Sequence, residues 1–100
     1  MNYRALELKV LEWAEEKGIM ANATPKDQLL KTMEELGELA GAISKDKRDE
    51  VIDGFGDVLV TLIIGAELQG LNLEDCLEYA YNEIKNRTGT MQDGVFVKDV

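Results

Sequence analysis

Residues 33–43 read MEELGELAGAI and constrain how the rest of the chain can fold. At about 100° per residue, an apolar face centred on Leu36 alternates with acids, which predicts an amphipathic helix. We expect that face to pack into the core; its other members are Leu29, Met33, Leu39, Ala40 and Ile43. Glu35 and Glu38 lie one turn apart on its flank, Lys31 lies one turn before Glu35, and Glu34 lies just beyond. So much negative charge beside an apolar seam indicates either a solvated surface or a metal site.

Turn and capping signals divide the chain into four predicted helices. Gly18 and Gly70 are helix stops, Thr24-Pro25 is a strong helix start, and Asn72 is an N-cap. The predicted helices cover about residues 3–17, 24–44, 47–69 and 72–89. The turn dipeptide Asp93-Gly94 before β-prone residues 95–97 predicts a short C-terminal hairpin or an extended arm. We therefore expect a single all-α domain over residues 1–100, resembling a four-helix bundle.

The third predicted helix indicates that the protein assembles with copies of itself. Its apolar residues cover nearly the whole circumference, and a helix that is apolar all round must be buried all round. They are Val58, Leu59, Val60, Leu62, Ile63 and Ile64. Four helices in a chain of 100 residues could scarcely enclose this helix, so we expect a homo-oligomer, either a dimer or a tetramer.

The composition excludes several classes of protein. The net charge is -9 and no histidine is present, so neither a basic nucleic-acid-binding surface nor histidine-based zinc or triad chemistry is expected. The single cysteine, Cys76, allows no intramolecular disulfide. The N-terminus is too charged for a signal peptide, and the apolar run 58–64 is too short for a membrane span. We therefore expect a cytoplasmic protein without a membrane partner.

A second group of acids lies on the third predicted helix. Glu50 and Asp53 fall within about 40° of Asp57, so the three share one narrow stripe, which becomes apolar further along the helix. Acids at the edge of a buried surface need a counter-charge. Mg²⁺ suits carboxylate oxygens and usually binds together with substrate phosphates. Two helices that each present acids one turn apart can converge on such an ion.

These acids also carry a family resemblance. The string EELGE at 34–38, followed by DEVIDGFGDVL at 49–59, resembles the all-α nucleoside triphosphate pyrophosphohydrolases of the MazG-like group, whose signature is E-E-x-x-E on one helix and E-x-x-D on the next. The resemblance covers most of the chain, including the ending YNEIKNR at 81–87. The tail DGVFVK at 93–98 is similar to that of the short members, which are often phage-encoded.

The resemblance implies an Mg²⁺-dependent enzyme that cleaves a nucleoside triphosphate into the monophosphate and pyrophosphate. It implies Mg²⁺ ligands at Glu35, Glu38 and Asp57, joined by Glu50, Asp53 or both. The catalytic base would be Glu34 or Glu38. Substrate contacts would come from Lys31, Asn82, Lys85 and Arg87.

One position departs from the signature. When Asp57 is aligned with the signature aspartate, Gly54 stands where the glutamate belongs, although Glu50 and Asp53 satisfy the same pattern one turn earlier. The alternative function is therefore a catalytically degenerate module that binds a nucleotide or a partner protein. A plain structural bundle with solvated acids is a third possibility. Trp13 could be a core or rim residue or a platform on which a base stacks.

Overall fold

The computed structural model describes all residues, Met1–Val100, and is mainly helical, which confirms the all-α class. In chain order the elements are α1 (Tyr3–Glu16), α2 (Ile19–Asn22), α3 (Pro25–Ser44), α4 (Arg48–Leu68), α5 (Leu73–Ile84), β1 (Gly89–Gln92) and β2 (Val95–Lys98). The four predicted helices correspond to α1, α3, α4 and α5. The short α2 was not predicted, because its four residues are fewer than periodicity can reveal. None of the helices combines the length and apolar character needed to cross a membrane.

α3 begins with a capping box, as Thr24 and Pro25 predict. The Thr24 hydroxyl accepts a hydrogen bond from the Asp27 N–H at 3.1 Å, and Asp27 Oδ2 accepts one from the Thr24 N–H at 3.0 Å. The hydrogen bond from the Thr24 backbone lowers the pKa of Asp27. Two otherwise unpaired donors at the start of the helix are therefore satisfied.

Replacing Thr24 with alanine should remove one side of this capping box. We expect the free energy of unfolding to fall by about 1 kcal/mol, a typical value for losing an N-cap side chain. Urea denaturation at neutral pH measures the loss. Thr24→Ser keeps the acceptor oxygen and should retain most of the stability; equal losses in the two variants would contradict the capping role.

α3 and α4 form an antiparallel pair that supports the site. Gln28, early in α3, donates a hydrogen bond to the Thr61 carbonyl at 3.3 Å. Leu39, about three turns later, lies against Gly54 in the first half of α4. The buried residues of α3 are Gln28, Thr32, Leu39 and Ala42. The face that packs on α4 is thus the flank of the predicted core face.

The predicted core face of α3 is wrong for the single chain. Of its members only Leu39 is buried; Leu29, Leu36 and Ile43 are each about half exposed. The apolar stripe on the wheel is real, but the flank of α3 that packs on α4 is centred about 75° away from the centre of that stripe. α1 also buries a charged residue, because Glu7 is fully buried and forms an ion pair with Arg4.

The C-terminal segment extends from the α3–α4 pair. α5 has no buried residue and ends at Ile84, earlier than the predicted end near residue 89, because the chain enters a hairpin soon afterwards. β1 and β2 pair antiparallel, with Gln92 opposite Val95. Asp93 and Gly94 both have positive φ, 51° and 83°, the signature of a type I′ turn. Of the two predicted forms of the tail, the hairpin is the correct one.

Candidate functional site

Acids of α3 and α4 meet in one cavity between the two helices. Glu38 of α3 lines it together with Glu50, Asp53 and Asp57 of α4, and its volume is about 390 Å³. The antiparallel pairing brings the second half of α3 beside the first half of α4, which is where these acids lie. The acidic stripe of α4 and Glu38 of α3 therefore face a common space.

A second cavity adjoins the first. Its volume is about 410 Å³, and Asp57 lines both cavities. Glu35 reaches into this second cavity, and Trp13 of α1 is part of its wall. The remaining lining residues are Ile19, Gln28, Lys31, Val60, Thr61 and Ile64. Asp57 thus separates an acidic cavity from one lined by an aromatic side chain and several apolar groups.

The three glutamates of α3 form a tight group. Each of Glu34, Glu35 and Glu38 offers one carboxylate oxygen, and these oxygens all lie within 4.8 Å of one another. Lys31 is the nearest cation, with Nζ 3.4 Å from Glu34 and 3.5 Å from Glu35. Glu35 is the most buried of the three carboxylates, with 13% of its side chain exposed.

The surroundings of Glu38 and Asp57 raise the pKa values of these two carboxyl groups. The pKa of Glu38 is raised, chiefly by the charge of Glu35. The pKa of Asp57 is also raised, first by burial and then by the charges of Asp53 and Glu35. Both groups therefore bind protons more readily in the folded protein than in the unfolded one. Their contribution to stability is greatest at acidic pH and is lost as the pH rises through the folded pKa values.

The residues present fit a hard divalent cation. Four carboxylates line one cavity. The charge of Glu35 chiefly raises the pKa of Glu38, whereas burial first and then the charges of Asp53 and Glu35 raise the pKa of Asp57. Among the lining residues, the balancing cations are Lys45 in the acidic cavity and Lys31 in its neighbour. Carboxylate oxygens without histidine or paired thiols suit Mg²⁺ and not the softer metals.

Gly54 of α4 lies directly against Leu39 of α3. A Cβ atom added there would be 3.0 Å from Leu39 Cδ1 and 3.4 Å from Leu39 Cα. A larger side chain at residue 54 would therefore require Leu39 to move. Glu50 and Asp53, the two candidates to replace a glutamate at this position, both line the acidic cavity beside Gly54.

The structure does not bring all the predicted site residues together. Lys31 lines the second cavity, but Asn82, Lys85 and Arg87 are exposed and line neither of the two. Lys85 caps the end of α5, and Arg87 lies beyond it. Lys45 also lines the acidic cavity and was not among the predicted site residues, although its position two turns after Glu38 places both on one stripe of the wheel.

Comparisons with known proteins agree with the resemblance in the sequence. The family model for the MazG nucleotide pyrophosphohydrolase domain matches residues 23–91. A relative described as an uncharacterized 18.2 kDa protein in the rep-hol intergenic region of Haemophilus phage HP1 is 39% identical over 56 residues. That match covers 56% of this chain and about a third, 34%, of the relative. No solved structure matches the chain.

Proposed function

Because the chain belongs to the MazG nucleotide pyrophosphohydrolase domain family, we propose that it hydrolyses a nucleoside triphosphate to the nucleoside monophosphate and pyrophosphate. The observation that carries the proposal is the cavity between α3 and α4, in which carboxylates from two helices face one another. The adjoining cavity offers room for the nucleoside beside the acids.

In this proposal Glu35, Glu38 and Asp57 hold one or two Mg²⁺ ions, with Asp53, Glu50 or both completing the ligand set. When bound, Mg²⁺ would neutralise the phosphates and stabilise the charge that develops during an in-line displacement. The mutual repulsion of the carboxylates in the metal-free protein supports this assignment, since a cation relieves that repulsion.

A carboxylate is also the proposed general base. Glu34 and Glu38 are the candidates; each would accept a proton from the attacking water as the water oxygen bonds to phosphorus and pyrophosphate leaves. Glu38 lines the acidic cavity, whereas Glu34 is exposed and forms an ion pair with Lys31. This difference favours Glu38.

Positive side chains at the two cavities would hold the phosphates. Lys31 and Lys45 are positioned for this role, because each lines a cavity that also contains acids. Ammonium groups bind phosphate oxygens as point charges. Asn82, Lys85 and Arg87 are proposed substrate contacts on the family resemblance alone. Since they lie outside both cavities of their own chain, they would act from a neighbouring subunit of a homo-oligomeric dimer or tetramer.

The nucleoside is proposed to occupy the second cavity. Trp13 supplies an aromatic side chain to its wall, and Gln28, whose amide donates to the Thr61 carbonyl, lines the same cavity. Stacking on an aromatic side chain is available to any base, so it would hold the nucleoside without choosing among bases.

The alternative is a catalytically degenerate module that binds a nucleotide or a partner protein. The observation that favours it is Gly54, which cannot supply the signature carboxylate. A nucleotide-binding module of this kind would still be stabilised by Mg²⁺ and a triphosphate but would release no product.

We expect the purified protein to release pyrophosphate from nucleoside triphosphates when Mg²⁺ is present. A screen over canonical and modified nucleotides, read by coupled pyrophosphate detection, tests the activity. Thermal unfolding with Mg²⁺, with a non-hydrolysable triphosphate and with both tests binding separately. A rise in the melting temperature only with both, without any release, would establish the binding module. No rise and no release would leave only the structural bundle.

A further inference from the structure

Gln28 is a buried polar side chain whose amide has a fixed orientation. Only 7% of the residue is exposed, and Nε2 donates a hydrogen bond to the Thr61 carbonyl at 3.3 Å. A backbone carbonyl can only accept, so Nε2 and not Oε1 faces Thr61, and the flipped amide is excluded. This bond uses one N–H of the amide. The amide oxygen and the second N–H have no partner within the chain.

The free amide oxygen is open to a ligand. Glu7 Oε2 is the only side-chain oxygen or nitrogen that is sealed from solvent without a partner, so Gln28 Oε1 is reached from outside. Gln28 borders two spaces, the second cavity and a groove of about 500 Å³ beside the start of α5. Only the second cavity also contains Glu35 and Asp57, so it is the one in which a ligand held by these acids would meet the amide.

Gln28 lies at the end of the second cavity that is remote from the acids. It precedes Glu35 by seven residues, so the two share one stripe of α3 and are about 10 Å apart along the helix axis. On α4, Thr61 is one turn beyond Asp57, in the same direction. That separation is comparable to the length of a nucleoside. A nucleotide with its phosphates at the acids would therefore extend its base toward Gln28.

The neighbouring polar groups leave the amide as the one group that can both accept and donate at this end of the cavity. The Thr61 hydroxyl donates to the Val58 carbonyl at 2.7 Å, so toward a ligand it can only accept. The Lys31 ammonium is paired with two glutamates. The indole N–H of Trp13 lies in the plane of its ring, so it does not point at a base that stacks on that ring.

We propose that Gln28 selects the base, and that the protein prefers nucleotides whose base carries an exocyclic amino group beside an unprotonated ring nitrogen, as cytosine and adenine do. The amino group would donate to Oε1, and the ring nitrogen would accept the second N–H; glutamine pairs with adenine in such a bidentate way. Uracil, thymine, guanine and hypoxanthine present a carbonyl and a ring N–H instead, so oxygen would face oxygen. The unpaired amide then weakens binding. This inference rests on the proposed function, which places the phosphates at the acids.

Nucleotide pairs that differ by deamination test the preference in the unmodified protein. Cytidine and uridine triphosphates have the same size, and so do adenosine and inosine triphosphates. We expect kcat/KM for pyrophosphate release to be about 10- to 100-fold higher for the amino member of each pair, which is the discrimination that one bidentate contact gives. Isothermal titration of non-hydrolysable analogues with Mg²⁺ should give a similar ratio of Kd values, independently of turnover.

Substitution of Gln28 should remove the preference. Gln28→Leu keeps the size of the side chain but not the amide, so kcat/KM for cytidine triphosphate should fall to that for uridine triphosphate. A general loss of packing would lower both values and leave their ratio unchanged. Gln28→Met is the second variant if Gln28→Leu does not fold. Thr32→Val changes a buried residue one turn later that does not line the second cavity, and it should keep the wild-type ratio.

Failure of this inference and failure of the proposed function give different results. Equal kcat/KM for the two members of each pair, or a folded Gln28 variant that keeps the preference, would overturn the role of Gln28 and leave the hydrolysis standing. Selective binding of the amino members without pyrophosphate release would support the role of Gln28 and overturn the hydrolysis. A protein that neither binds nor hydrolyses any of the four nucleotides would overturn both.

Discussion

Asp57→Asn is expected to abolish pyrophosphate release while leaving the metal-free fold at least as stable as the wild type. Asp57 is the one acid that lines both cavities, so its carboxylate stands between the proposed metal site and the proposed nucleoside site. Interactions of a catalytic cation with the transition state are worth several kcal/mol. The rate of pyrophosphate release should therefore fall by about a thousandfold or more. A coupled pyrophosphate assay at saturating Mg²⁺ measures it.

The stability measurement separates a ligand from an ordinary surface acid. The raised pKa of Asp57 means that its ionised form is disfavoured in the folded protein, by burial first and by Asp53 and Glu35 second. An amide at residue 57 removes that charge, so urea unfolding of the metal-free variant near pH 7 should show equal or greater stability. The advantage over wild type should shrink as the pH falls and Asp57 itself becomes protonated.

Asp49→Asn is the matched control. Asp49 is in the first turn of α4 and exposed, and it lines neither cavity. The Asp49→Asn variant should retain full pyrophosphate release. Its free energy of unfolding should fall slightly, because a negative charge near a helix N-terminus stabilises the helix. An Asp57→Asn protein that releases pyrophosphate at the wild-type rate would remove Asp57 from the site.

Local signals predicted the ends of the helices and the hairpin well. The capping box at Thr24, the stop at Gly70 and the turn at Asp93-Gly94 all depend on residues close in sequence, and these features lie where they were expected. The end of α5 was less predictable, since nothing in residues 85–88 forbids helix. It ends at Ile84 because the chain pairs β1 with β2, which is a tertiary contact.

Periodicity identified the two acidic stripes but not the face that α3 turns toward α4. A helical wheel shows which residues are apolar, and here two faces of α3 compete for the core. The flank with Gln28 and Thr32 packs within the chain, and the more apolar stripe is left outside. Only the position of a neighbouring helix, or of a second copy, decides between two such faces. The same reason explains why Lys45 was overlooked, since its place in the acidic cavity depends on the approach of α4.

Because Gly54 stands where the signature has a glutamate, a second pair of variants tests whether Asp53 or Glu50 replaces that glutamate. Both residues line the acidic cavity, but they differ in their surroundings. Asp53 is close enough to Asp57 to raise the pKa of that residue through its charge and a side-chain hydrogen bond. Glu50 is 61% exposed, and its nearest cation is Lys47, with Nζ 3.9 Å from Glu50 Oε1.

We therefore expect Asp53→Asn to behave like Asp57→Asn and Glu50→Gln to be nearly neutral. Loss of an anionic ligand should reduce pyrophosphate release by a factor of about 100 or more. Loss of an exposed ion pair should change stability by at most about 1 kcal/mol and leave the activity intact. Isothermal titration of Mg²⁺ with a non-hydrolysable triphosphate gives a readout independent of turnover: binding should weaken strongly in Asp53→Asn and little in Glu50→Gln.

The reverse pattern would make Glu50 the substitute for the missing glutamate. Equal, small effects of both would mean that Gly54 leaves the ligand set incomplete, which favours the binding module over the enzyme.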